Sequence, residues 1–211
     1  MAVTLGVHDF TFGNAATGNR TISPAAGSCI VAAWIGNAER TTTISDDKSG
    51  SYTHHHLVNG SQDMSLAYAM NVTGGSTVVS FNNGGAATDF DFFVMEFIGV
   101  RTANAGNGTN DITNTTDTTP VAGSITTTGA GVVIGVNHAG GSNHTYAPDS
   151  ADSVPTTGWL TVDEHENPAS GLGGSVIYQA FSVTGTRNPG WTISVANTTH
   201  GQSLALLENV S

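Results

Sequence analysis

This chain has almost no lysine and little charge of any kind. Lys48 is the only lysine, and charged residues make up 10% of the 211 positions, against roughly 25% in ordinary soluble proteins. The four arginines, Arg20, Arg40, Arg101 and Arg187, are scattered. With a formal net charge of -11, no clustered basic surface is expected, which argues against nucleic acid as a partner. Cysteine is equally scarce. Cys29 stands alone, so no disulfide can form within the chain, and its apolar setting "SCIVAAWIG" marks a small buried hydrophobe. No run approaches the roughly 18 apolar residues of a membrane helix, so no membrane partner is expected. The start, "MAVTLGVHDFTFGN", has neither the basic region nor the apolar segment of a secretory signal, from which we expect synthesis in a cytoplasm. Helical patterning is missing too: no amphipathic period of 3.6 lasts three turns, and Glu, Lys and Leu are few.

In place of charge the chain carries Thr, Ser, Asn and Gly, a mixture that favours strands and turns. Period-2 alternation dominates. In "DMSLAYAM", Met64, Leu66, Tyr68 and Met70 point one way and Ser65, Ala67 and Ala69 the other. In "STVVSF", Thr77, Val79 and Phe81 share a face, as do Trp191, Ile193 and Val195 in "GWTISVAN". Between such runs lie "TGG", "NNGG", "AGNGTND", "HAGGSN" and "TGTRNPG", all turn chemistry.

The chain also repeats itself. "ISPAAGSCIVAAWIG" matches "ITTTGAGVVIGVNHA", and "AYAMNVTGGSTVVSFNN" matches "YQAFSVTGTRNPGWTISVAN". "FVMEFIGV" falls on "ALLENVS", with Glu96 over Glu208, and Tyr52 corresponds to Trp159. The expected fold is all-β: an antiparallel two-sheet sandwich, jelly-roll-like, built from two sequence-similar halves. The halves are placed at 22–100 and 125–211 of one domain spanning 1–211, with 1–21 as an N-terminal strand or arm. A half this short would struggle to bury both of its faces alone. The intervening "RTANAGNGTNDITNTTDTTP" reads as a surface loop with some edge strand.

From about Ile22 to the end, the order "IVAAWIG", "TTTISDDKSGSYT", "LAYAMNVTGGSTVVSFN", "FFVMEFIGV", "ITTTGAGVVIGV", "QAFSVTG", "GWTISV", "LALLENV" resembles a broad group of β-sandwich proteins. These are encoded by tailed bacteriophages and bacteria, often beside virion genes. The resemblance implies a structural virion protein: a capsid decoration (cement) protein, or a collar, tail or fibre component. It implies a homotrimer contacting major capsid or tail proteins, located in the virion, with no cofactor and no catalytic residues to carry over. The acidic composition suits the outside of a particle, where it does not compete for packaged nucleic acid.

Three consecutive histidines stand in "SYTHHHLVN". On a strand, His54 and His56 emerge on one face and His55 on the other. The His54–His56 pair is the candidate metal site, because neutral imidazole is a common ligand, though zinc or iron needs further ligands. The competing expectation is a half-exposed polar strand at a subunit contact. Asp46–Asp47 and Asp149/Asp152 sit in or near turns, and Asp89 and Asp91 share a strand face expected to meet solvent. "VDEHENP" gathers Asp163, Glu164, His165 and Glu166 in what reads as a solvated loop. No loop of the EF-hand pattern, nucleophile elbow, H-E-x-x-H, phosphate loop or CxxC pair occurs, and no enzyme is expected. A second function class is carbohydrate binding, since sandwiches bind glycans from their loops. Trp34 and Trp191 lie in alternating strands and are expected in the core; Trp159 is the candidate for stacking on a surface glycan.

Overall fold

A computed structural model describes residues 2–37, 39–59, 62–101, 105–140, 153–155, 158–167, 172–193 and 196–209. Among them there is no helix, and every paired strand is antiparallel. The chain is organised as two compact units, Met1–Gly106 with Leu206–Ser211, and Asn107–Ala205.

The first unit holds β1 (Thr4–Ala15), β2 (Thr17–Ile22), β3 (Cys29–Gly36), β4 (Thr43–Asp46), β5 (Tyr52–Asn59), β6 (Gln62–Ala69), β7 (Thr77–Asn82) and β8 (Thr88–Ile98). A five-stranded sheet runs β1-β8-β3-β6-β5 and a three-stranded sheet runs β2-β7-β4. The pairs β1–β8, β2–β7 and β3–β6 are nested. This is a long hairpin rolled into two layers, with β4 and β5 at its tip, which is the jelly-roll topology. Alternation decides which side chains enter the core between the layers. Ile30, Ala32 and Trp34 of β3 and Phe90, Phe92 and Val94 of β8 face Ile44, Val79 and Phe81 of the smaller sheet. The Phe81 ring lies 4.6 Å from that of Phe90 and 5.0 Å from that of Phe92. Burial of each such ring contributes about 1.5–3 kcal/mol. Gly36 is required here, because the Trp34 indole folds over it where a Cβ would stand.

The β1–β8 register slips between Leu5 and His8. Glu96, 2% exposed, fills that bulge. Its carboxylate accepts the Val7 N–H at 3.1 Å and the Ala25 N–H at 2.6 Å. A buried carboxylate is tolerated because two amides, otherwise unpaired, donate to it.

The second unit repeats the plan. It holds β9 (Gly106–Asp117), β10 (Ile125–Thr127), β11 (Gly131–Gly140), β12 (Ser153–Pro155), β13 (Leu160–Asn167), β14 (Leu172–Phe181), β15 (Gly185–Arg187), β16 (Trp191–Ile193) and β17 (Asn197–Leu207). β9 begins and β17 ends in the first unit. Its five-stranded order, β9-β17-β11-β14-β13, is that of β1-β8-β3-β6-β5. The place of β7 is divided between β15, paired with β10, and β16, paired with β12. Pro189 lies between them; it has no N–H to donate, and it packs over Gly135. Val133, Ile177 and Ala205 of the large sheet meet Ile125, Trp191 and Ile193 in this unit's core.

The repeat in the sequence is thus a repeat of strand order, but its boundaries differ from the expected halves. Residues 4–15, expected as part of an N-terminal strand or arm, form β1 and pair with β8 along nearly their whole length. Residues 106–117, expected as a loop with some edge strand, form β9, the equivalent of β1. Each unit has a core of its own, between its own layers.

Candidate functional site

The triple histidine lies on β5, at the seam where β4 and β5 belong to different sheets. Alternation splits the side chains as expected. His54 and His56 stack at 5.9 Å with ring planes 4° apart, while His55 stacks on Tyr68 at 6.2 Å. The Nε2 atom of His54 is 3.0 Å from both the amide nitrogen and the carbonyl oxygen of Ile44 on β4. In one tautomer it accepts the Ile44 N–H; in the other it donates to the carbonyl. One imidazole therefore does at the seam what a backbone ladder does elsewhere. Burial, followed by the nearby His54 and His55, holds the His56 imidazole below its ordinary range. No group of three or more His, Cys, Asp or Glu side chains suited to a metal occurs among the described residues. A metal bound through His54 Nε2 would displace the Ile44 contact.

Asp63 is a buried acid that sequence reading passed over. It is 0% exposed and sits opposite Gly36, over which the Trp34 indole lies. Burial pushes its carboxyl up to about 7, Glu39 adds to the rise, and the nearby amides of Met64 and Arg40 oppose it without hydrogen bonds of ordinary geometry. The signal was present in "QDMSLAYA": Asp63 shares a strand face with Ser65, Ala67 and Ala69. That small, weakly apolar face is the one covered by the second sheet.

Among the other acidic candidates, Asp46 and Asp47 serve the backbone. Asp46 Oδ1 accepts the N–H groups of Lys48 and Gly50, each at 2.8 Å, and Oδ2 accepts the Tyr52 hydroxyl at 3.2 Å. Burial, reinforced by Asp46, pushes the Tyr52 phenol up, so it remains a donor. Asp47 accepts the Val78 N–H at 2.9 Å, and Asp89 accepts Asn14 Nδ2 at 2.9 Å. Asp91 was expected on a solvent-facing edge and is instead 0% exposed, on β8, an inner strand between β1 and β3. The "VDEHENP" segment is not a solvated loop. Asp163, Glu164 and His165 lie on β13, with Glu164 5% exposed. Asp149 and Asp152, and the side chain of Glu166, lie outside the described residues.

The tryptophans are all buried. Trp34 and Trp191 lie in the cores, as expected, and Trp191 Nε1 donates to Ser175 Oγ at 2.9 Å. Trp159, the stacking candidate, is 8% exposed and belongs to the core of the second unit. Trp159, just before β13, turns inward, as Tyr52 does at the start of β5, and presents no ring face on which a sugar could stack.

A polar cavity of about 170 Å³ opens in the first unit between the β4–β5 and β6–β7 turns. Asp46, Lys48, Ser49, Ser51, Asn71 and Thr73 contribute to its wall. Lys48 Nζ donates across to the Gly74 carbonyl at 2.7 Å, tying the two turns together. Ser49 and Asn71 have φ of 61° and 56° and are the only described non-glycine residues in the left-handed region. For a residue with a Cβ that conformation costs about 1–2 kcal/mol, less for Asn.

No protein-family model, curated protein or solved structure matches this chain.

Proposed function

We propose that this protein is a structural virion component, a capsid decoration (cement) protein that stabilises a particle through subunit contacts. One observation carries the reading: two successive jelly rolls with the same strand order and no helix among the described residues. Jelly rolls recur in viral shells, where rigid rolled sheets present broad faces to neighbouring subunits. That support is architectural and so speaks to class rather than to chemistry. Two polar side chains that suggested chemistry, His54 and Asp46, are engaged in holding backbone, as is the buried Glu96. A net charge of -11 favours an outer position, away from the packaged nucleic acid. The expected assembly is a homotrimer seated on major capsid or tail proteins.

Particle co-purification tests this. Gradient-purified particles from a producing host are expected to contain the protein at a fixed stoichiometry to the major capsid protein. Its absence from every particle fraction, while present in the lysate, would overturn the proposal. Light scattering on the isolated chain tests the trimer separately.

A further inference from the structure

We propose that the cavity between the β4–β5 and β6–β7 turns of the first unit binds a single neutral sugar residue. The chain is rich in glycine, and eight described glycines occupy positive-φ positions. A side chain is kept in that conformation only at Ser49 and Asn71 among the described residues, and both line this one cavity. Glycine would adopt the same backbone without strain. The fold makes no use of the two side chains: among the described residues neither the Ser49 hydroxyl nor the Asn71 amide has a hydrogen-bond partner, and both residues are exposed. Ser51 and Thr73, beside them, are likewise exposed and unpaired among the described residues. Strained side chains that the fold does not need, gathered at one cavity, point to a ligand.

The chemistry of the wall selects the class. Hydroxyls, an amide, one carboxylate and one ammonium both donate and accept, which matches sugar hydroxyls that do the same. The formal charges of Asp46 and Lys48 cancel. An anion would meet Asp46, with Asp47 next to it in the chain, and a metal ion would meet the Lys48 ammonium. Asp46 already accepts three hydrogen bonds, so it is oriented rather than free to wrap a cation. Met70 and Val72 supply apolar wall for the C–H face of a ring. At about 170 Å³ the cavity is smaller than the roughly 300 Å³ of the smallest drug-sized sites, so one ring fits and any further residues extend into solvent.

The test uses the full chain and a panel of glucose, galactose, mannose and N-acetylglucosamine, read by saturation-transfer NMR with titration. At least one sugar is expected to bind. The double variant Ser49→Gly, Asn71→Gly is expected to bind at least about tenfold more weakly. Its melting temperature should stay level or rise, because glycine relieves the backbone. Loss of binding with retained stability separates a ligand role from a structural one. The inference is overturned if no sugar in the panel gives a signal, if the double-glycine variant binds as tightly as the parent, or if glucuronate or inorganic phosphate binds more tightly than every neutral sugar. The same variant should still join purified particles, so failure here and failure of the virion proposal are distinguishable.

Discussion

His54 Nε2 lies 3.0 Å from both backbone polar atoms of Ile44. β4 and β5 belong to different sheets, and Ile44 is 2% exposed, so its N–H has little access to water. A single side chain thus covers the tip of the rolled hairpin. Replacement by Ala leaves a buried backbone group unpaired, at a cost of about 1–3 kcal/mol. We expect urea denaturation of His54→Ala to show a loss in that range, and His55→Ala, whose ring lies on the opposite face, to lose less. Equal losses would show that the ring stabilises by packing alone.

Glu96 predicts a larger effect. Two backbone amides donate to its carboxylate, and hydrogen bonds to charged groups are worth about 1.5–3 kcal/mol each. Glu96→Ala should destabilise the first unit by about 3 kcal/mol or more. Glu96→Gln keeps one acceptor oxygen and should fall between. Hydrogen exchange provides the local readout: the Val7 and Ala25 amides should lose protection in the Ala variant before residues of β7 do.

Asp63 sets a pH dependence with a definite sign. Its folded-state pKa is raised, from 3.8 to about 7. Between those values the folded chain binds the proton more tightly than the unfolded chain, so stability from this group is present at low pH and is lost as pH rises towards 7. Asp63→Asn removes the ionisation. Its stability relative to the parent should therefore be greater at pH 8 than at pH 4, measured as melting temperature in matched ionic strength. A difference that is the same at both values would rule out the buried ionisation as its source.

His200 on β17 has the opposite sign. It is 4% exposed, stacks on His138 at 6.0 Å and meets Thr113 Oγ1 through Nδ1 at 3.1 Å. Burial holds its pKa below 6.5. Stability from the neutral ring is complete above 6.5 and is lost as pH falls below that value, because the unfolded chain takes up the proton first. His200→Gln should weaken the acid loss. NMR titration of the imidazole signals gives the direct check, with His200 expected to titrate below the free-histidine range.

Much of the local structure was legible in the sequence. Period-2 alternation in "DMSLAYAM" and "STVVSF" marked β6 and β7, and it divided His54 and His56 from His55 correctly, because a strand admits only two side-chain directions. The internal repeat marked two copies of one plan, with Cys29, Trp34 and Trp191 inside. The cavity was harder to see. Ser49 and Asn71 are ordinary turn residues in the sequence, and only the backbone angle shows that glycine would have served there with less strain.

Alternation, turn chemistry and the repeat belong to neighbouring residues, so the sequence by itself determined that the chain is all-β, antiparallel and doubled. Tertiary structure alone decided which faces were covered and which strands were partners. β1 finds β8 across more than seventy residues, a choice governed by long-range packing, and of the two expectations for the N-terminus, strand or arm, this made residues 4–15 a strand of the large sheet. Asp91 lies buried on β8, an inner strand of that sheet, and packing of the second unit's core buried Trp159. A two-residue period tells which side chains share a face. Whether that face meets solvent, a second sheet or the backbone of Ile44 depends on chain segments far away in sequence.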